Sequence, residues 1–315
     1  MLERLRAIRA PTGPSSRIAS VRVGIVDVGA NTVRLLVAAR DGRRLVSVRE
    51  ERVQLGLGEE IERTGKISEE KLRDTAATAA AKVRRARKLR CAAIEVLITS
   101  PGRQAANGRE LVDCLAEATS APARVLTAQE EGELAWHGAV AAAQDVPSTV
   151  AVCDVGGGSA QIAVGSPATG PAWVRSVDIG SLRLTRRAFR HDPPTAADLE
   201  RAQDAIADAF ADLTPPLPLA AIAVGGTARA LRRIEADVLG PEELGDAVQE
   251  LRSRPSRQVA KAYRLDEQRA RTITAGALIL AEIQRRLNVP LTVGRGGLRE
   301  GAALVLLDAT VAATG

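Results

Sequence analysis

The chain has 315 residues, a net charge of +6, two histidines and three cysteines at positions 91, 114 and 153. That length supports one large or two medium domains with a substantial core, and the odd, widely spaced cysteines exclude a disulfide framework and argue against zinc. Aromatics are only 2% of the residues, which argues against single-stranded nucleic acid as a partner, and the longest uncharged window, 155–174, carries five glycines and two prolines and cannot be a membrane helix.

Half of the positive excess lies in the first twenty residues, where Arg4, Arg6, Arg9 and Arg17 outnumber Glu3. This stretch has no apolar core and breaks at Pro11 to Ser16, so it reads as a flexible lead-in (1–20) and not as a signal peptide. Together with the reduced cysteines, this points to a cytoplasmic protein. An alternating strand follows at 21–27, turns through Gly29-Ala30-Asn31-Thr32 and resumes at 33–37. Another strand is expected at 44–49, and 51–66 reads as loop. Ser68 caps a helix over 68–90 whose end, "KVRRARKLR", is either a solvated basic terminus or a polyanion contact. A strand at 93–99, a helix near 108–118 and a short strand at 123–126 come next. Thr127 to Glu130 is a capping-box pattern that opens a helix reaching about 143.

Strands at 149–154, 160–165 and 173–178 begin a second half. They lead to a helix at 195–212, a buried strand before Gly225-Gly226-Thr227, irregular helix over 242–265, a long helix at 269–287, a strand at 289–293 and a final helix at 297–313. The two halves echo each other. Residues 25–37 read IVDVGANTVRLLV and residues 152–164 read VCDVGGGSAQIAV: strand, Asp-Val-Gly, small residues, a hydroxyl, strand. Either turn alone could be hairpin chemistry. A glycine-rich turn also presents successive backbone N–H groups as an anion nest, and the strand-end acids Asp27 and Asp154 suit a magnesium ion shared with phosphate.

These loops resemble the phosphate loops of the superfamily of acetate and sugar kinases, heat-shock ATPases and actin. Within it the chain resembles the exopolyphosphatase/guanosine pentaphosphate phosphohydrolase (Ppx/GppA) family, in its short two-domain form. The matching stretches are "DVGANTVRLLV" (27–37), "TSPGRQAAN" (99–107), "AQEEGEL" (128–134), "DVGGGSAQIAVG" (154–165), "SVDIGSLRLT" (176–185), "DPPT" (192–195), "GGTARAL" (225–231) and "GGLREG" (296–301). The resemblance implies an α/β protein of two RNase H-like, actin-like ATPase lobes with the active site in the cleft between them. The first lobe would span 21–131 and the second 132–296, with helix 297–313 packing back on the first.

The resemblance also implies roles. Gly29, Ala30, Asn31 and Thr32, with Gly156, Gly157, Gly158 and Ser159, would cradle phosphates, joined by Gly225, Gly226 and Thr227. Arg103 would grip phosphate oxygens, Glu131 would be the catalytic base, and Asp154, with Asp27, would hold Mg²⁺ or Mn²⁺. By position alone, Glu131 is an ordinary first-turn acid that favours the helix dipole. Arg299 and Glu300 read as capping and inter-lobe packing residues. The chain departs from the family pattern at Ala30, which lacks a hydroxyl, at Pro101-Gly102 ahead of Arg103, and at Gln161, where family members usually carry Glu. An amide there makes a weak metal ligand and cannot take a proton.

The expected activity is Mg²⁺-dependent release of terminal phosphate from inorganic polyphosphate. Short chains are favoured because no helical domains follow the second lobe. Two alternatives stand beside it: a guanosine pentaphosphate 5′-phosphohydrolase, with a link to the stringent response, and a weakly catalytic binder of polyphosphate or an alarmone. Neither nucleic acid nor membrane is an expected partner. A homodimer is a family-level expectation.

Overall fold

The computed structural model describes residues 21–42 and 44–313. The lead-in expected over 1–20 lies outside the described residues. The first half runs β1 (Arg22–Val28), β2 (Thr32–Asp41), β3 (Arg44–Gln54), α1 (Leu57–Thr64), α2 (Glu69–Lys88), β4 (Ala93–Ile98), α3 (Ser100–Gln104), α4 (Gly108–Thr119), β5 (Ala123–Val125) and α5 (Ala128–Ala142). The second runs β6 (Val150–Val155), β7 (Ala160–Ser166), β8 (Gly170–Val177), α6 (Ser181–Ala188), α7 (Ala196–Phe210), β9 (Ala220–Val224) and α8 (Gly225–Leu231). It continues through β10 (Val238–Leu239), α9 (Pro241–Arg252), α10 (Ser256–Ala262), α11 (Glu267–Leu287) and β11 (Leu291–Val293) to α12 (Leu298–Ala312).

The internal echo in the sequence is a repeat of topology. A five-stranded sheet is ordered β3-β2-β1-β4-β5, and a six-stranded sheet is ordered β10-β11-β9-β6-β7-β8. In each, a meander of three antiparallel strands is extended by parallel strands: β1 beside β4 and β4 beside β5 in one, β6 beside β9 and β9 beside β11 in the other. The second and third strands slip register at matching points, Val37/Ala38 and Val164/Gly165.

Both faces of the first sheet are covered, which explains why β1 is apolar on both sides. Val26 and Val28 pack with Leu72, Ala79, Val83 and Ala86 of α2. Val23 and Ile25 pack on the opposite face with Ala302, Ala303 and Leu307 of α12. Close approach of α12 to α5 requires glycine: a Cβ on Gly301 would lie 1.9 Å from the Leu134 carbonyl oxygen. The second sheet is buried against α6–α11 in one large core.

Helix boundaries follow their caps. Ser68 accepts from the Lys71 amide at the start of α2, and Thr127 and Glu130 form the reciprocal capping box of α5. The basic end of α2 is used within the fold, since Arg87 donates to the carbonyls of Thr119 and Ser120 at the end of α4, and Arg85 lies 3.5 Å from Glu51. The stretch expected as loop over 51–66 instead holds the end of β3 and all of α1. β3 is an edge strand whose residues are largely exposed, so its charged second half shows no apolar alternation. The region 242–265 is two regular helices, with Pro255 opening the second.

Candidate active site

Each hairpin that begins a sheet turns through a loop closed by one backbone bond: Gly29 N–H to Thr32 O at 3.0 Å, and Gly156 N–H to Ser159 O at 3.0 Å. The amides of Ala30 and Asn31, and of Gly157 and Gly158, donate to no group among the described residues. Free, convergent amides are what an anion needs. The loops confront each other, because a Cβ on Gly157 would sit 3.0 Å from Asn31 Nδ2. Between them lies a cavity of about 140 Å³, lined by both loops together with Asp27, Glu131, Asp154, Gln161, Gly225 and Gly226.

Glu131, at the start of α5, is buried and held from two sides. Arg103 Nη1 and Nη2 donate to its two carboxylate oxygens at 3.0 and 3.1 Å, and Nη1 also donates to the Leu126 carbonyl at 2.6 Å. Gln161 Nε2 donates to Glu131 Oε2 at 2.9 Å, with Ser159 Oγ at 2.9 Å and Ser176 Oγ at 3.2 Å also in range. With two hydrogens, that nitrogen serves two of the three at once. Burial raises the Glu131 pKa to about 7 against the opposing pull of Arg103. A carboxylate poised there suits proton transfer at neutral pH.

Three residues with expected ligand roles also make contacts within the protein. For Arg103, expected on phosphate, the β5–α5 connection lays Leu126 and Glu131 against Nη1 and Nη2. Gln161, expected as a weak metal ligand through its amide oxygen, turns its amide nitrogen to Glu131 and Ser159. Thr227 is fully buried, donating to Val155 O at 2.8 Å and accepting from Arg269 Nη1 at 3.2 Å, so its hydroxyl positions an arginine and does not face the cavity.

Asp27 and Asp154 stand at the ends of β1 and β6, and both line the cavity. Burial raises the pKa of each. Arg34 and Arg299 oppose the rise at Asp27, and Arg229 and Arg34 oppose it at Asp154, while the negative charge of Asp154 adds to the rise at Asp27. Gly225 has φ +85°, and a Cβ there would fall 2.0 Å from Asp154 Oδ1, so only glycine lets α8 start against that carboxylate. Among the described residues, no group of three or more His, Cys, Asp and Glu side chains is placed to hold a metal ion. Two hard carboxylates beside this cavity nonetheless fit magnesium, which takes one or two protein carboxylates and fills its shell with water and phosphate oxygens.

Arg34, Arg229 and Arg269 were not singled out from the sequence. Arg34 Nε donates to Thr32 Oγ1 at 3.0 Å, and burial with the nearby Arg299 charge lowers its pKa to about 10. Its signal was available: it follows Asp27 at the same interval at which Gln161 follows Asp154. Arg269 reaches the site from α11, where burial lowers its pKa against Asp266. Nothing local in its helical sequence announces that destination. Arg299 lies 3.6 Å from Glu50 of β3, and its charge also acts on Asp27 and Arg34.

Paired lobes of this topology, closing two amide nests over acids and arginines, define a phosphate-handling enzyme of the actin-like ATPase fold. Residues 36–310 match the model of the Ppx/GppA phosphatase family, and the chain belongs to that family; it is a phosphatase, a hydrolase. It is 28% identical over 321 residues to Exopolyphosphatase 2 of Mycobacterium tuberculosis, covering 92% of this chain and 99% of that one. It is 27% identical over 312 residues to Exopolyphosphatase 1 of Mycobacterium bovis, covering 91% and 89%. Among solved structures, the Aquifex aeolicus Ppx/GppA family member superposes with a TM-score of 0.79 at 23% identity, covering 94% of this chain and 99% of that one. An exopolyphosphatase from Cytophaga hutchinsonii superposes with a TM-score of 0.82 at 22% identity, covering 91% and 98%. Among the described residues, no helix is long and apolar enough to cross a membrane.

Proposed function

We propose that this protein is an exopolyphosphatase that hydrolyses the terminal phosphoanhydride bond of inorganic polyphosphate, short chains included, with Mg²⁺ or Mn²⁺. The carrying observation is the pair of facing loops with free amides around a cavity that also holds a buried glutamate of raised pKa. The terminal phosphoryl group sits between the loops, where amide donors stabilise its charge. Glu131 takes a proton from the attacking water as the water oxygen bonds to phosphorus. The bridging P–O bond breaks, the shortened chain leaves as an anion, and the proton is released later from Glu131. Arg103 and Gln161 fix the carboxylate, and Arg103 favours its ionised form. Asp27 and Asp154 are the residues that would hold the divalent cation, which when bound neutralises phosphate oxygens.

Removal of the 5′ γ-phosphate from guanosine pentaphosphate would use the same cavity, and the missing carboxylate at 161 keeps a slow, binding-dominated protein in view. Side-by-side phosphate release from tripolyphosphate, longer polyphosphate and guanosine pentaphosphate tests the reading. Turnover of polyphosphate exceeding that of the nucleotide supports it. Nucleotide-only turnover, or tight polyphosphate binding without release at high Mg²⁺, overturns it.

A further inference from the structure

The two glycine-containing loops are braced differently. Three carbonyls of the second loop are each held from outside the loop. The first amides of α6 hold two of them: Ser181 N–H donates to Gly156 O at 2.9 Å, and Leu182 and Arg183 N–H donate to Gly157 O at 3.0 and 3.1 Å. Gly158 O accepts from Gln104 Nε2 of α3 at 3.3 Å, its only donor among the described residues. In the first loop the matching carbonyl, Asn31 O, accepts from the backbone amides of Leu55 and Gly56 in its own lobe. The second loop thus takes from the other half of the molecule a donor that the first loop finds in its own.

A trans peptide sets its C=O and N–H on opposite sides, so holding a carbonyl aims the amide that follows it. The holds on Gly156 and Gly157 aim the free amides of Gly157 and Gly158. Gln104 aims the amide of Ser159, a cavity-lining residue whose N–H also donates to no group among the described residues. Gln104 is itself fixed. Its Nε2 also donates to Asp178 Oδ1 at 2.8 Å. Asp178 pairs with Arg183, and the buried Arg183 pairs with Glu62 of α1, so the chain of contacts returns to the first lobe. Ser100 and Gln104 press so close that a Cβ on Gly158 would fall 2.8 Å from a side-chain oxygen of each. We infer that Gln104 is a positioning residue: from the first lobe it sets the Ser159 amide as a third donor of the second lobe's nest. This deepens the exopolyphosphatase reading above and rests on it. An amide so aimed would meet the charge on the terminal phosphoryl group in both the bound substrate and the transition state.

The test uses the full chain, tripolyphosphate and three variants. Gln104→Met removes the donor without adding charge. Gln104→Glu/Asp178→Asn reverses the bond to position 178, the amide now donating to the carboxylate, so the lobes stay tied while Gly158 O loses its donor. Asp178→Asn alone keeps an acceptor for Gln104 and leaves Gly158 held. Per folded molecule, kcat/KM should fall about tenfold or more in the first two, with KM raised and kcat lowered, and stay within about twofold of wild type in the third. The acid limb of the pH–rate profile, set by Glu131, should stay in place in all three. Recovery in the double variant would reduce Gln104 to a tether between lobes and overturn its positioning role. Wild-type rates in Gln104→Met, an equal loss in Asp178→Asn, or a shifted acid limb, which would mean action through the neighbouring Arg103, would overturn it too. If the wild type releases phosphate from neither tripolyphosphate nor a longer chain, the exopolyphosphatase reading fails. Gln104 is then judged by binding of tripolyphosphate: weaker binding by both Gln104 variants sustains its role, and unchanged binding, or none by the wild type, removes it.

Discussion

Asp154 and Gln161 stand opposite each other across the β6–β7 hairpin, in the register that Asp27 and Arg34 occupy across β1–β2. The two repeats therefore place a different partner beside an equivalent acid: a guanidinium in the first lobe and an amide in the second. The asymmetry is also one of contacts. Arg34 offsets the buried charge of Asp27, whereas Gln161 turns to Glu131.

Gln161→Glu would set a second carboxylate against Glu131, where the amide nitrogen now lies 2.9 Å from Oε2. The added charge raises the Glu131 pKa further and supplies another oxygen for a cation. Phosphate release at saturating Mg²⁺ and alkaline pH should increase, and the acid limb of the pH–rate profile should move upward. Unchanged or lower activity would show that the amide is no handicap.

Glu131→Gln should reduce kcat by roughly 10²–10⁴-fold, the usual contribution of a general base, with polyphosphate binding retained. In the wild type, the ionised base is lost as pH falls through about 7, so activity should decline on the acid side of that value. Arg103→Gln removes the groups that hold the pKa down, so its acid limb should appear at higher pH. An acid limb that stays in place would mean that Arg103 acts elsewhere.

Asp154→Asn should abolish turnover and yet stabilise the metal-free protein at neutral pH. Burial raises the Asp154 pKa above its unfolded value, so the stability linked to its protonated form is full at low pH and is lost as pH rises through the raised value. Asparagine removes that loss. Melting temperature without divalent cations should rise at neutral pH, with the gain shrinking as pH falls, and added Mg²⁺ should shift the variant less than the wild type. A variant that melts lower at every pH would contradict the expectation.

Gly225→Ala tests the fit of α8 against Asp154. The new methyl would meet Asp154 Oδ1 and would demand a left-handed backbone of a residue with a side chain. Loss of about 1–3 kcal/mol of stability is expected from the strain and crowding. Activity should fall by more than the folded fraction explains, measured as turnover per folded molecule. Normal turnover per folded molecule would place Asp154 outside the chemistry.

The paired turns are legible in the sequence because their information is local: an acid at a strand end, then small residues, then a hydroxyl. The helix that carries Glu131 is legible for the same reason, since Thr127 and Glu130 cap it with their own side chains. What Glu131 faces is not local. Arg103, Gln161 and the Leu126 carbonyl converge on it from three separate segments, and the sequence alone assigned the first two to other partners. Arg229 and Arg269 escaped notice because each sits in an ordinary helix and becomes a site residue only when α8 and α11 dock against the cavity. The end of β3 and all of α1 read as loop because an exposed edge strand and a short helix leave little apolar periodicity.

Val23 and Ile25 share one apolar layer with Ala302, Ala303 and Leu307. On the ribosome, the first sheet must therefore wait for α12, which is made after the whole of the second lobe. Until α12 emerges, one side of the first sheet stays open to water, while the second lobe, with its own large core, has most of what it needs to close. Folding of these two lobes should run against the direction of synthesis, with the first sheet completed after the second and slowed by so distant a contact. Any chain cut short of α12 would present that bare sheet to chaperones and proteases.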